Sequence, residues 1–120
     1  MLGRSVAVKM GRYPSSQLGA DTLAAWAREV ETLSVVKHRN IVEFVGVVVE
    51  PPMMVMELMQ CSLYQLYHAA PEKLRKQSRC LQIMIDVARG VAHLHGLGPQ
   101  VLHRDLKSAN VLLTPKFGAK

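Results

Sequence analysis

The longest apolar stretch of the chain, Ile41 to Met59, is cut in two by adjacent prolines, Pro51 and Pro52. Proline locks φ and has no N–H to give to a ladder, so neither a helix nor a central strand runs through this point. IVEFVGVVVE before the break and MMVMEL after it are rich in β-branched and apolar residues. They predict the two strands of an antiparallel hairpin. Glu43, Glu50 and Glu57, together with the prolines, deny the stretch the run of about 20 apolar residues that a membrane span requires. MLGRSVAVKM at the start has no apolar core long enough for a signal peptide. A soluble chain without a membrane span is expected.

Ser5 to Met10 predicts a further short strand, with Val6 and Val8 on one face and Ala7 and Lys9 on the other. After the loop GRYPSSQLG, Asp21 is the expected N-cap of a helix over about residues 22–36, in which Leu23, Trp26, Ala27, Val30 and Leu33 form one stripe. Beyond the hairpin the pattern turns helical. A short helix is expected around Ser62 to Ala69 and a long one from about Ser78 to His95, stopped by Gly96, Gly98 and Pro99. On the long helix Gln82, Asp86, Arg89 and His93 form a narrow polar stripe, and apolar residues such as Leu81, Met84 and Ile85 cover the rest. Such a helix is expected to be largely buried. VLHRDLKSANVLL reads as two apolar pieces around a polar loop, and TPKFGAK as a tail. The fold class is α+β: a small antiparallel sheet with one helix, then helices.

A chain of 120 residues, 49% of them apolar, can bury a core without disulfides or a structural metal. Its 15 Lys+Arg against 9 Asp+Glu leave a charge of +6, which raises the question of nucleic acid. Apart from Lys73, Arg75, Lys76 and Arg79 the cations are dispersed, and no aromatics are interleaved with them. Nucleic acid is therefore not an expected partner, and the cluster reads as a solvated helix entry. Cys61 and Cys80 lie outside any C-x-x-C spacing, which argues against a zinc site or disulfide framework and for a reducing, cytoplasmic compartment. His93 and His95, two apart on a helix, point in different directions and cannot share a metal.

The chemistry concentrates in His103-Arg104-Asp105-Leu106-Lys107-Ser108-Ala109-Asn110, which fits H-R-D-L-x-x-x-N. Five fixed identities arise by chance on the order of once in 10⁴ to 10⁵ chains of this length. Transfer of a phosphoryl group to a hydroxyl needs a carboxylate to receive the proton, a cation at the phosphoryl and an oxygen ligand for magnesium. Asp105, Lys107 and Asn110 supply these within one loop. The plain alternative is a polar turn whose Asp and Asn bond their own backbone.

Upstream, Val6-Ala7-Val8-Lys9 is similar to the strand motif V-A-I-K, whose lysine pairs with nucleotide phosphates and with a helix glutamate. Advancing about 100° per residue from Trp26, the apolar stripe centres near Val30, with Glu29 beside it and Glu31 well away. Glu29 is the acid that can face the sheet.

The order of Lys9, Glu29, His38-Arg39-Asn40, hairpin and catalytic loop resembles a protein kinase of the tyrosine-kinase-like group, over residues 5 to 114. Lys107 after HRDL looks like the serine/threonine class. The resemblance implies a partial kinase fold spanning 1–120, with an incomplete N-lobe over 1–57, a hinge over 58–60 and the start of a C-lobe over 61–120. It implies ATP and Mg²⁺ as cofactors and a protein bearing a Ser/Thr hydroxyl as partner. By the same resemblance Asp105 is the base, Lys107 the phosphate contact, Asn110 a magnesium ligand, Lys9 the phosphate anchor and Glu29 its partner. Met56 is then the gatekeeper, Ala7 lines the adenine end, Glu57 and Met59 offer hinge backbone groups, and Leu112 forms the pocket floor. Leu33, Phe44 and His103 belong to an apolar stack.

No G-x-G-x-x-G or D-F-G occurs in the sequence. These 120 residues are therefore expected to be an incomplete copy of a serine/threonine kinase domain, inactive alone. A non-catalytic interaction or nucleotide-binding module is the alternative.

Overall fold

The computed structural model describes residues 3–10 and 19–120, so the expected GRYPSSQLG loop lies outside the described residues except for Gly19. The chain forms two units. One comprises residues up to Lys37 together with Glu43–Leu58, and the other comprises His38–Val42 with Met59–Lys120.

In the first unit, β1 (Val6–Met10), β2 (Phe44–Val48) and β3 (Met53–Glu57) form an antiparallel sheet in the order β1-β3-β2, accompanied by α1 (Ala20–Val35). Pro51-Pro52 sit in the β2–β3 connection, and Pro52 is buried with Met54. Across β1 and β3, Ala7 lies opposite Met56 and Lys9 opposite Met54. Directly opposed residues share a face, so all four belong to one side of the sheet. The N-cap of α1 is Gly19, not Asp21. The carbonyl of Gly19 accepts the N–H groups of Thr22 and Leu23, starting the helix earlier and leaving Asp21 in the first turn. A carboxylate is favourable there because it meets the positive end of the helix dipole.

The second unit holds a two-stranded sheet, β4 (Cys61–Ser62) with β5 (Leu112–Leu113), and two helices, α2 (Leu63–Ala69) and α3 (Gln77–His95). Ser62 caps α2 reciprocally: its hydroxyl accepts the Gln65 N–H at 3.1 Å, and Gln65 Oε1 accepts the Ser62 N–H at 2.8 Å. Leu66, Ile83, Val111, Leu113 and Ala119 make the core.

Two further expectations are corrected in this unit. TPKFGAK is no tail. The chain turns at Thr114–Gly118, Leu113 bridges Ala119, and Leu112 exchanges both backbone bonds with Lys120 at 2.9 Å. Phe117 takes the left-handed conformation (φ 62°) in this turn, with Arg79 over its ring at 3.7 Å. Arg79 also donates to the Lys73 carbonyl, so it is a packing residue, while Lys73, Arg75 and Lys76 are exposed. Pro115 and Gly118 are turn residues, but the positive φ of Phe117 and the strand that the returning segment pairs with are not legible in the sequence.

The second correction concerns α3, whose buried residues are Ile83, Asp86 and Gly90. Leu81, Met84 and Ile85 are 55%, 67% and 37% exposed. The polar stripe faces inward at Asp86 because the returning segment presents the backbone of Ala119 there: Asp86 Oδ2 accepts the Ala119 N–H at 3.0 Å. A buried backbone donor needs a partner, and a carboxylate provides a strong one.

Gly90 lies against the 38–42 turn, and a Cβ placed on it would stand 2.6 Å from the Asn40 carbonyl oxygen. Backbone cannot rotate away as a side chain can. Gly90→Ala is expected to destabilise the chain by about 1–3 kcal/mol, despite the better helix propensity of alanine. A urea midpoint equal to or above that of the parent would show that the turn is not held there. Among the described residues no helix is long and apolar enough to cross a membrane.

Candidate active site

The expected site residues fall into two groups, one on each unit. Ala7, Lys9, Glu29, Met56 and Glu57 belong to the first, and Met59, Asp105, Lys107, Asn110 and Leu112 to the second.

In the first unit Lys9 Nζ stands 3.0 Å from Glu29 Oε1. Strand parity turns Lys9 toward α1, and Glu29 borders the apolar stripe of that helix. The two side chains are 60% and 47% exposed. Exposed pairs of this kind add at most about 1 kcal/mol of stability, so the contact matters for where it holds the ammonium. Glu31 is exposed, and its carbonyl accepts from Ser34 Oγ at 2.7 Å. Ala7 and Met56 are half-buried register partners. Glu57 braces the sheet: its Oε1 accepts the Glu43 N–H at 2.8 Å, and its own N–H donates to the Glu43 carbonyl at 2.9 Å. Arg4 completes this cluster, 2.7 Å from Glu43 and 4.0 Å from Glu57. Nothing in the sequence flags Arg4, because its partners are acquired only through strand pairing.

In the second unit three side chains meet at one oxygen. Asp105 Oδ2 lies 3.0 Å from Lys107 Nζ and accepts from Asn110 Nδ2 at 3.0 Å. The Asn110 amide also donates to the Asp105 carbonyl at 2.8 Å. A 3₁₀ turn over Ser108–Asn110, begun by the bond from Asn110 N–H to the Lys107 carbonyl at 2.9 Å, swings Asn110 back onto Asp105. The hydrogen bond from Lys107, followed by that from Asn110, holds the Asp105 carboxyl below its ordinary range. It therefore stays an anion well into acid. Both Asn110 bonds use the amide nitrogen, so neither occupies Oδ1, the hard oxygen of that side chain. Leu112 and Met59 are half-buried.

Two features of the loop were not legible in the sequence. Arg104 has φ 61°, a left-handed backbone unusual for a long side chain. Such outliers persist where the surroundings over-determine them. His103, expected in an apolar stack, is exposed, and its Nδ1 takes the Asp105 N–H at 3.3 Å. An imidazole serving as an acceptor keeps an edge toward polar groups.

The family described as protein tyrosine and serine/threonine kinase matches residues 2–120. The chain is 37% identical over 123 residues to the serine/threonine-protein kinase CTR1 of Arabidopsis thaliana, covering 98% of this chain and 15% of that protein. It is 41% identical over 123 residues to the receptor-like protein kinase HERK 1 of the same plant, at 98% and 14% coverage. It is 35% identical over 125 residues to the probable serine/threonine-protein kinase drkA of Dictyostelium discoideum, at 98% and 18%. The chain thus spans less than a fifth of the length of each of these relatives.

Proposed function

The chain belongs to the protein tyrosine and serine/threonine kinase family, and on that footing we propose that it is the catalytic-loop portion of a serine/threonine kinase domain. The domain would bind ATP with Mg²⁺ and transfer the γ-phosphoryl to a Ser/Thr hydroxyl of a protein. The observation that carries this reading is the meeting of Lys107 and Asn110 on Asp105 Oδ2.

Asp105 would receive the proton of the acceptor hydroxyl. A carboxylate held ionised is a weak base, which suits a loose transition state in which the hydroxyl becomes acidic late. Lys107, exposed beside it, would exchange its carboxylate partner for the transferring phosphoryl oxygens. Asn110 would offer Oδ1 to magnesium, a hard cation that takes oxygen ligands, so the donor fits. When bound, that ion supplies neutralisation of phosphate charge. Lys9, oriented by Glu29, would contact the α/β-phosphates. Ala7, Met56 and the Glu57 backbone on the first unit, and Leu112 and the Met59 backbone on the second, would each be an adenine contact. This assignment carries the proposed boundaries with it: sheet lobe 1–57, hinge 58–60 and helical lobe 61–120. Cys61 and Cys80 are free thiols, which supports a cytoplasmic setting.

These residues contain no G-x-G-x-x-G and no D-F-G, so transfer is not expected from the 120 residues by themselves. The test is a hybrid in which residues 2–120 replace the matching segment of a complete, active serine/threonine kinase domain. It is expected to phosphorylate a generic protein acceptor from radiolabelled ATP. A hybrid that folds and binds Mg·ATP but transfers nothing would overturn the enzymatic reading and favour a non-catalytic nucleotide-binding module.

A further inference from the structure

The His38–Val42 turn is fastened within the second unit at two points. Asn40, 6% exposed, donates from Nδ2 to the Ala119 carbonyl at 2.9 Å, with its backbone against Gly90. His38 stacks on His93 of α3, with ring centroids 4.7 Å apart and planes 21° from parallel, and its Nδ1 accepts the Asn40 N–H at 3.1 Å. The second fastening can titrate. With Nδ1 serving as acceptor, the neutral ring carries its proton on Nε2, and Nδ1 is the only place left for another. A proton there sets a donor against the Asn40 N–H. It also places a positive charge on one of two stacked imidazoles.

We propose that the His38–His93 stack is a proton-operated latch, which holds the 38–42 turn on α3 at neutral pH and releases it in acid.

Three observations support the device. The groups bearing on His38 are His93 across the stack and Arg39 in its own turn, neither of which stabilises a histidinium, and Arg89, one turn before His93, is directed to Asp86 at 3.8 Å. Burial first, then His93 and Arg39, hold the His38 pKa below its ordinary 6.5. Asn40 Oδ1 is also buried without a hydrogen-bond partner among the described residues. An unsatisfied buried acceptor opposes closure and is relieved when water enters, so the turn is held by a small margin. The sign follows from the lowered value. The latch contributes fully above about pH 6.5 and is lost as pH falls through the folded-state midpoint of His38. Opening would also free the Ala119 carbonyl, in the segment paired with Leu112 just beyond Asn110.

The test is NMR on the 120-residue chain from about pH 7.5 to about pH 4.5, following the imidazole signals of His38 and His93 and the exchange of the Asn40 amide. His38 is expected to titrate below 6.5. Asn40 exchange, corrected for its intrinsic pH dependence, should rise by up to about tenfold per pH unit as pH falls from 6.5 to that midpoint, and level off below it. His93→Phe keeps a flat ring in the stack and removes the opposing charge. It should move the His38 midpoint up toward 6.5 and make the acid-driven rise in Asn40 exchange smaller. Asn40 protection that stays constant while His38 titrates overturns the latch, and so does a His38 midpoint at or above 6.5. Both are read on the parent chain, so the outcome stands even if the variant does not fold.

Discussion

In the hybrid kinase, Asp105→Asn lowers phosphoryl transfer by about a hundredfold or more, while Mg·ATP affinity stays within about threefold of the parent. The substitution preserves shape and removes the charge on which Lys107 and Asn110 converge, each 3.0 Å from Oδ2. An amide can accept a hydrogen bond but not a proton from the acceptor hydroxyl, and it leaves the Lys107 ammonium without its anion. Loss of general-base assistance at this level corresponds to about 2.7 kcal/mol or more in the barrier. Ground-state nucleotide binding rests on other residues, so the loss falls on kcat. Because Lys107 and Asn110 hold the carboxyl below its ordinary 3.8, Asp105 is still mostly ionised at that pH, and any acid limb nearer neutrality belongs to another group. Steady-state kinetics on the folded variant decide the matter. Transfer within about tenfold of the parent would remove Asp105 from its proposed role.

Asp86→Ala destabilises the 120-residue chain by about 3 kcal/mol, measured as a lowered urea midpoint at unchanged slope. Asp86 is 3% exposed. Its Oδ2 is the acceptor for the Ala119 N–H, and its Oδ1 accepts from Gln82 Nε2 at 2.9 Å. Truncation leaves a buried backbone donor unpaired, which costs more than the mean net value of a hydrogen bond. Asp86→Asn retains an acceptor for Ala119 and is expected to lose only about 1 kcal/mol. Domains of this kind are stable by about 5–15 kcal/mol in total, so the alanine variant forfeits a substantial share. Equal stability of Asp86→Ala and the parent would mean that Ala119 is held by packing alone.

The two hydrogen bonds on Ala119 mark where sequence reasoning stopped. Asn40 reaches it across 79 positions and Asp86 across 33, and no periodicity links residues so far apart. On α3 the wheel separated a polar stripe from an apolar surface, and the ordinary inference buried the apolar one. The reverse holds for Asp86, because the segment that returns against it brings backbone groups that need partners. Arg4, Glu43 and Glu57 likewise became neighbours only through the pairing of β3 with both β1 and β2.

The H-R-D-L-x-x-x-N loop was legible because its geometry is local. Asp105, Lys107 and Asn110 lie within six residues, and one 3₁₀ turn brings them together. The Lys9–Glu29 pair was legible for a related reason: strand parity and helical phase each fix a direction from a few neighbouring residues. The elements, their order and the chemistry of the loop follow from such short-range rules. Which face of α3 is covered, the return of Thr114–Lys120 and the seating of the 38–42 turn on Gly90 do not. They depend on which distant backbone groups must be satisfied once water is excluded, and that is decided by packing in three dimensions.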